Sequence, residues 1–241
     1  IAIAEPTSSN PEYNQRALPQ YVSALEAEGA EPVIVPAGAT PHEIAKLVTR
    51  CEGVLLPGSP ADVDPQKFGA ERHPKTAFAD PGRDNVDELL LQDAHNLRKP
   101  VLGICYGLQS LNVWRTGTLL QHIENTGVNH EAGRNVQFAH HVQIVPESKL
   151  ATMLGTMQIN VNSSHHQSAE RPGDGLRVVA TCPEDGIIEA VEGNAPDHFV
   201  VAVQWHPERT YQVDEPSKAI FRGFVQAAGT WKPREVSESV G

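Results

Sequence analysis

Short, continuously apolar segments alternate with segments of helical periodicity in the first half of the chain. The apolar segments span residues 1–4, 33–35, 53–56 and 100–104. Strands without polar alternation are buried on both faces, as in a parallel sheet between two layers of helices. The helical segments end before Gly29 or cover residues 41–50 and 83–97. This order of strands and helices predicts an α/β fold.

The second half of the chain has a different pattern. From about residue 118 the expected strands are shorter, alternate in polarity and are separated by turn signals such as Asp185-Gly186 and Gly193-Asn194. We predict such strands at residues 141–145, 158–161, 176–181 and 187–191, then a buried strand at 199–203 and a helix at 216–228.

No repeat, low-complexity tract or linker divides the chain. We therefore predict one domain over residues 1–229, followed by a polar tail over residues 230–241. Its expected architecture is a flavodoxin-like three-layer sandwich, in which a central, mostly parallel sheet carries added antiparallel strands.

Composition and charge exclude several function classes. The 241 residues include 30 acidic and 19 basic side chains, a formal net charge of -11. Nucleic-acid binding needs clustered Lys and Arg, so a nucleic-acid partner is not expected. No apolar run approaches about 18 residues, so no membrane span is expected either. Three cysteines, an odd number, argue against a disulfide framework and favour a cytoplasmic location.

The sharpest candidate for chemistry is Gly-Ile-Cys-Tyr-Gly at residues 103–107, between an apolar strand and a helical pattern. In a nucleophile elbow, a tight strand-to-helix turn exposes one side chain, and flanking glycines avoid collisions of Cβ atoms. The helix N-terminus favours a thiolate, so we expect a lowered pKa for Cys105. The structural alternative is a free cysteine that packs as a small core residue.

A base for this thiol is expected where the strand at 199–203 runs into Gln-Trp-His-Pro-Glu at residues 204–208. Residues two apart in extended chain face the same side, so Glu208 could orient the ring of His206. The alternative is that Glu208 is a solvated turn carboxylate. For an oxyanion, the candidate donors are the amide of Tyr106 and an amide of the Pro-Gly-Ser-Pro loop at 57–60, which could also be an ordinary turn.

These motifs resemble those of a known family. The segments at 103–109, 204–208 and 57–60 together resemble a class I glutamine amidotransferase domain. The segments at 56–60, 80–84 and 161–167 further resemble the γ-glutamyl-γ-aminobutyrate hydrolases of peptidase family C26. The similarity runs from about residue 1 to 228. It departs from common patterns at Ser59, where many amidotransferases have a second glycine, and at residues 115–118, where Gly-Gly-Thr is frequent.

The resemblance implies an amidase that cleaves a γ-glutamyl amide through a γ-glutamyl thioester on a cysteine. It implies that Cys105 is the nucleophile, that His206 is the base and acid, and that Glu208 orients His206. It also implies oxyanion donors and glutamyl contacts: Gly58 or Ser59 together with Tyr106, the pocket residue Gln109, and a wall over 163–167 that includes Ser163, Ser164 and His165. The leaving amine is not specified by these motifs.

Cofactors and partners are the remaining expectations. We expect no cofactor and no metal, because adjacent residues of the pairs at 140–141 and 165–166 point to opposite faces of a strand. The Asp-Pro-Gly-Arg-Asp segment at 80–84 is read as a helix cap rather than a substrate contact. The expected partners are a small γ-glutamyl substrate and water, with a homodimer as the expected assembly.

Two other functions fit the same residues. One is a glutaminase subunit that supplies ammonia to a separate synthase, which would use the same catalytic groups. The other is a non-catalytic binding or regulatory protein that keeps the fold and has an unreactive thiol.

Overall fold

A nine-stranded sheet forms the centre of the computed structural model, which describes residues 1–124 and 126–233. Five neighbouring strands run parallel in the order β2-β1-β3-β4-β11. This is the flavodoxin-like order, with the last strand of the chain in the fifth place. The five strands are β1 (Ala2–Ala4), β2 (Val33–Val35), β3 (Val54–Leu56), β4 (Val101–Ile104) and β11 (Val200–Val203).

Four antiparallel strands extend the sheet beyond β11. They continue in the order β10-β9-β6-β7, and β9 and β10 form a hairpin across the turn that contains Gly186. A separate two-stranded sheet pairs β5 with β8. The strands are β5 (Thr118–Leu120), β6 (His140–Ile144), β7 (Gln158–Val161), β8 (Ser168–Arg171), β9 (Leu176–Thr181) and β10 (Ile188–Gly193).

In the described part of the chain, Pro65–Phe68 forms a short 3₁₀ helix, and there are seven α-helices. Four of them begin in the same way, with an Asn, Thr or Asp side chain that accepts a hydrogen bond from the first turn and a proline at one of the first two helical positions. The helices are α1 (Pro11–Ala27), α2 (Pro41–Val48), α3 (Pro81–Leu97), α4 (Tyr106–Trp114), α5 (Lys149–Leu154), α6 (Pro207–Thr210) and α7 (Glu215–Thr230).

The core has two layers, one on each face of the sheet. Successive residues of β1 alternate between them, so Ile3 packs with α1 and α7, whereas Ala4 packs with α2 and α3. Leu55 and Leu56 of β3 divide in the same way. These observations confirm the predicted three-layer α/β sandwich with its central sheet and added antiparallel strands.

Most predicted elements are present with shifted ends. The sequence pattern did not indicate α5, α6, β5 or β8, and it gave only the last part of α1. The predicted polar tail begins at Thr230, where α7 ends, and its residues 234–241 lie outside the described residues. In the described part of the chain, no helix combines the length and the apolar character needed to span a bilayer.

Candidate active site

Cys105 lies at the turn between β4 and α4 with a backbone φ of 53° and ψ of -105°. A positive φ is unfavourable for a residue with a Cβ atom and costs on the order of 1–3 kcal/mol. The turn is held open for this conformation by two glycines. A Cβ on Gly107 would lie 2.0 Å from the carbonyl oxygen of Leu56, and a Cβ on Gly103 would lie 2.8 Å from that of Gly107. The predicted nucleophile elbow is therefore present.

The expected lowering of the Cys105 pKa is not found. Burial raises the pKa of the thiol to about 12, and the Glu208 carboxylate adds to this effect. The Arg209 charge and the hydrogen bond from the Tyr106 amide act in the opposite direction but do not overcome burial. The prediction was wrong because removing the sulfur from water raises the pKa of Cys105 by more than the helix N-terminus lowers it. The thiol is protonated at neutral pH until a base takes its proton.

His206 and Glu208 form a buried hydrogen-bonded pair where β11 gives way to α6. The Nδ1 atom of His206 lies 2.8 Å from Oε1 of Glu208, and because a carboxylate only accepts, Nδ1 carries the hydrogen. Burial lowers the pKa of His206 below its ordinary value, against the opposing charge of Glu208. Burial also disfavours the Glu208 carboxylate, but its electrostatic and hydrogen-bond interactions with His206, together with the charge of Arg209, outweigh burial and lower the pKa of Glu208. The ring is therefore neutral at pH 7 and has a lone pair on Nε2.

The backbone of His206 is held by Asn162, a residue that the sequence analysis did not assign. The Asn162 side chain accepts a hydrogen bond from the His206 amide at 2.9 Å and donates one to the His206 carbonyl at 2.7 Å. Asn162 and His206 are both buried. This bidentate contact fixes the end of β11 relative to the segment that follows β7.

The loop after β3 contacts the ring of His206 directly. A Cβ on Gly58 would lie 2.9 Å from Cε1 of His206, so only glycine allows this approach. The amide of Gly58 donates to the Tyr21 hydroxyl at 3.1 Å, and this bond uses the donor. The adjacent Ser59 lines the cavity beside Cys105. Of the two candidates for the second oxyanion amide, Gly58 is thus already hydrogen-bonded, whereas Ser59 borders the cavity.

A cavity of about 250 Å³ opens beside these groups. The predicted site residues Cys105, His206, Glu208, Ser59 and Ser164 all line it. Cys105 is only 7% exposed and belongs to one of the two core layers, yet it also lines this cavity. The other residues that line it are Tyr13, Arg16, Ala17, Gln20, Tyr21, Pro60, Arg134 and Arg209.

Arg209 contacts the catalytic candidate that faces the cavity. Its Nη2 atom lies 3.1 Å from Nε2 of His206, so the guanidinium donates to the ring nitrogen that would have to accept a proton from a thiol. The Nη1 atom of Arg209 is buried and has no hydrogen-bond partner among the described residues. Arg209 therefore donates a hydrogen bond to the nitrogen that would act as the base, and its Nη1 atom is still available to donate to a ligand in the cavity. The motif analysis ended at Glu208 and missed it.

Three predicted glutamyl contacts lie outside the cavity lining. The Gln109 amide donates to the carbonyl of Gln167 at 3.3 Å and to the Gln204 side chain at 3.4 Å. The Ser163 hydroxyl is 3.1 Å from a ring nitrogen of His140, and His165 lies in a buried group of histidines. Their role as substrate contacts stays a prediction.

The segment at 80–84 has the structural role that was expected of it. The Asp80 carboxylate caps α3 at the Arg83 amide and also accepts from the hydroxyls of Thr7 and Ser8. Arg83 is fully buried and donates to the carbonyls of Pro6 and Pro57. The segment joins α3 to the loops that follow β1 and β3, and it does not line the cavity beside Cys105.

Known proteins are similar to this chain over most of its length. A family model described as peptidase C26 matches residues 3–208. A Mycobacterium tuberculosis protein provisionally named a glutamine amidotransferase is 35% identical over 87% of this chain, which spans 66% of that protein, just under two thirds. The γ-glutamyl-γ-aminobutyrate hydrolase of Escherichia coli is 34% identical over 86% of this chain and 84% of its own length.

The structural comparison concerns the fold alone. A Thermoplasma acidophilum protein with the provisional name of a GMP synthase subunit superimposes with a TM-score of 0.65, covering 95% of this chain and 94% of its own, at 15% sequence identity. The family match, in contrast, spans the elbow at Cys105 and ends at Glu208. On the extent of that match and the identity to its relatives, the chain belongs to the peptidase C26 family.

Proposed function

We propose that the protein is a cysteine-dependent hydrolase of γ-glutamyl amides. The observation that carries this proposal is the strained elbow at Cys105, a residue that lines the same cavity as the His206–Glu208 pair. Nucleophile, base and orienting carboxylate are the three groups that covalent amide hydrolysis requires. The hydrolase name of the Escherichia coli relative supports the γ-glutamyl class of substrate.

The protonation states define the first chemical step. Cys105 begins as a thiol and His206 as a neutral base, so the sulfur attacks the γ-carbonyl carbon while its proton passes to Nε2 of His206. Glu208 stabilises the resulting imidazolium through its bond to Nδ1. The oxyanion is stabilised by the amides of Tyr106 and Ser59, because the Gly58 amide is already bonded to Tyr21.

The remaining steps return the enzyme to its starting state. The imidazolium gives its proton to the leaving nitrogen as the C–N bond breaks, which releases the amine and leaves a γ-glutamyl thioester on Cys105. His206 then removes a proton from water, which attacks the thioester carbonyl. Collapse of this second intermediate breaks the C–S bond and releases glutamate, while the imidazolium of His206 returns its proton to the sulfur, which restores the thiol and the neutral base.

The charges around the cavity favour a substrate with more than one carboxylate. The chain as a whole has a net charge of -11, yet Arg16, Arg134 and Arg209 line this one cavity. Guanidinium groups bind carboxylates through paired hydrogen bonds. The α-carboxylate of the glutamyl group needs one such partner, and a leaving amine that carries its own carboxylate, as γ-aminobutyrate does, needs another.

Turnover assays test the proposal directly. Purified protein is expected to release γ-aminobutyrate from γ-glutamyl-γ-aminobutyrate and to form a glutamyl adduct on the peptide that contains Cys105. Cys105→Ala should lower turnover at least roughly 1,000-fold, whereas Cys51→Ala, at a free cysteine in the other core layer, should retain it. Equal turnover by the parent and Cys105→Ala, or none by either, contradicts the proposal.

The second candidate is a glutaminase subunit, which the name of the mycobacterial relative favours. Glutamine leaves ammonia, which has no carboxylate for a second arginine. The two functions therefore differ in substrate preference: a kcat/KM higher for glutamine than for γ-glutamyl-γ-aminobutyrate, with activation by an added synthase, would support the glutaminase.

A further inference from the structure

Three histidines surround one buried glutamate beneath the wall of the cavity. We call His130, His140, His165 and Glu189 the histidine–glutamate cluster. All four residues are buried, and their ligand-type atoms lie within 4.8 Å of one another. They come from four separate segments: the loop before β6, β6 itself, the segment after β7, and β10. The proposed reaction assigns no chemical step to these four residues, although His165 lies in the segment at 161–167 that was predicted to contact the glutamyl group.

The outward nitrogen of each ring has an acceptor. Nε2 of His130 lies 2.9 Å from the Asp185 carboxylate. Nδ1 of His140 lies 3.0 Å from the His141 carbonyl, and Nδ1 of His165 lies 2.9 Å from the Gln167 carbonyl. Because carbonyl and carboxylate oxygens only accept, each of these nitrogens carries the hydrogen. In a neutral ring the other nitrogen is then a bare lone pair.

Those lone pairs converge on Glu189. Its Oε1 atom lies 3.3 Å from Nδ1 of His130, and 3.6 Å from Nε2 of both His140 and His165. No hydrogen-bond partner is present in the described structure for His130 Nδ1, His165 Nε2 or either carboxylate oxygen of Glu189. The Ser163 hydroxyl reaches only His140, at 3.1 Å. Acceptors that face one another in a buried site repel unless a cation or extra protons lie between them.

We propose that the histidine–glutamate cluster binds one divalent transition-metal ion of the Zn²⁺ type. Bonds of about 2.0–2.1 Å in a tetrahedron separate the ligand atoms by about 3.3 Å, close to the distances from Glu189 to the three rings. Three imidazoles and one carboxylate suit zinc, and metal-binding histidines usually donate their other N–H to a carboxylate or carbonyl, as all three do here.

The ion would be structural and not part of the chemistry. All four tetrahedral positions are taken by protein atoms, which leaves none for water or substrate. It would bind the segment after β7 to β10, and that segment contains Asn162, which holds the backbone of His206, and the cavity residue Ser164. Loss of the ion should therefore raise KM and lower the melting temperature.

Metal analysis of untagged protein tests the proposal without an activity assay. We expect about one zinc per chain after purification, and recovery of one equivalent when Zn²⁺ alone is titrated into chelator-stripped protein against a chromophoric competitor. Glu189→Gln and His140→Gln should each weaken the Zn²⁺ affinity by more than the roughly 100-fold that loss of an outer hydrogen-bond partner can cost. The stripped parent protein should gain melting temperature on adding Zn²⁺.

Two matched controls separate this cluster from surface histidines. His141→Asn changes the exposed neighbour of His140 on the same strand, and His122→Asn changes a histidine that contacts His166 outside the cluster. Both variants should keep the zinc. The proposal is overturned when stripped parent protein binds Zn²⁺ no better than Glu189→Gln, or when His122→Asn loses the ion and Glu189→Gln keeps it. Either result means that protons alone balance the buried carboxylate.

Discussion

At the scale of single residues, Arg209 has two opposed effects on the proposed chemistry. Its charge lowers the pKa of both Cys105 and His206, which helps the thiol to lose a proton and keeps the base neutral. Its contact with Nε2 of His206, however, occupies the atom that must accept that proton. A substrate carboxylate that draws the guanidinium away would free the base only when substrate is bound.

Replacement of Arg209 tests this role through a pH profile. In Arg209→Gln the positive charge that lowers the pKa of His206 is lost, so that pKa rises. A larger fraction of His206 is then protonated below pH 7, and the acid limb of kcat/KM moves to higher pH. KM for γ-glutamyl-γ-aminobutyrate should also rise roughly tenfold or more, since a charge-assisted hydrogen bond is lost.

The matched control for this prediction is Arg222→Gln. Arg222 pairs with Glu28 on a half-exposed surface and does not line the cavity, so its variant should reproduce the parent profile. An acid limb that stays in place in Arg209→Gln, or that moves to lower pH, contradicts the assigned role.

The sequence could select Cys105, His206 and Glu208 as candidates for one site because each lies in a short motif next to a recognisable strand end. It could not identify Asn162 as the residue that holds His206, because the two lie 44 residues apart, after two strands (β7 and β11) that do not pair with each other. The sequence also could not show that His130, His140, His165 and Glu189 lie together, because they come from four segments that are far apart along the chain.

At the scale of elements, the first turn of α3 supports the loops around the site. The Arg83 guanidinium is bound by three groups: the Asp87 carboxylate at 2.7 Å, the Pro57 carbonyl at 2.6 Å and the Pro6 carbonyl at 2.9 Å. Pro57 directly precedes Gly58, which lies against the ring of His206. Arg83 also stacks on the ring of Tyr106, 4.9 Å from its centroid. One buried cation thus links α3, the loop after β3 and the elbow.

Removal of Arg83 should affect both stability and turnover. Arg83→Met leaves the Asp87 carboxylate buried without its partner, which typically costs about 3–5 kcal/mol. The double variant Arg83→Met/Asp87→Leu should recover much of the stability but not kcat, because the Pro57 carbonyl still lacks its donor. Urea denaturation and steady-state kinetics measure the two effects separately.

Glu88→Gln is the control. Glu88 lies on the same helix as Arg83 and forms an exposed ion pair with Lys67, so its replacement should cost less than about 1 kcal/mol. Full recovery of kcat in the double variant would show that Arg83 acts on stability alone and would refute its positioning role.

The elements were predictable where their pattern is local. β2, β7 and β9 match their predicted ranges, because an apolar run in β2 and alternating polarity in β7 and β9, each between turn residues, define them. The strands β5 and β8 were not indicated, because they pair only with each other, and exposed residues such as Glu170 and Arg171 interrupt the apolar pattern. The start of α1 was missed because half of that helix faces solvent and Pro19 lies within it.

At the scale of the whole molecule, the parallel strands bring the site residues together, and the two core layers pack against the faces of the sheet that carries them. β3, β4 and β11 are neighbours in register, with Leu56 opposite Gly103 and Ile104 opposite Val203. The loops that follow their carboxyl ends therefore meet at one edge, as is usual in open α/β sheets. The antiparallel strands add the Asn162 clamp and the histidine–glutamate cluster beside this edge.

This arrangement predicts that core packing and catalysis can be separated experimentally. Phe224 is fully buried in the layer formed with α7, and a Cβ on Gly53 of the neighbouring chain segment would lie 3.4 Å from its ring. Phe224→Ala should cost about 3–5 kcal/mol of unfolding free energy, and for a domain of this size the melting temperature should fall by roughly 6–20 °C. The exposed Phe78 serves as the matched control, and Phe78→Ala should change stability by less than about 1 kcal/mol.

At 25 °C the folded fraction of Phe224→Ala should retain the parent kcat and KM, because Phe224 is not among the residues that line the cavity. A kcat that falls while circular dichroism shows a fully folded protein would mean that the core layer below the sheet also sets the geometry of the cavity.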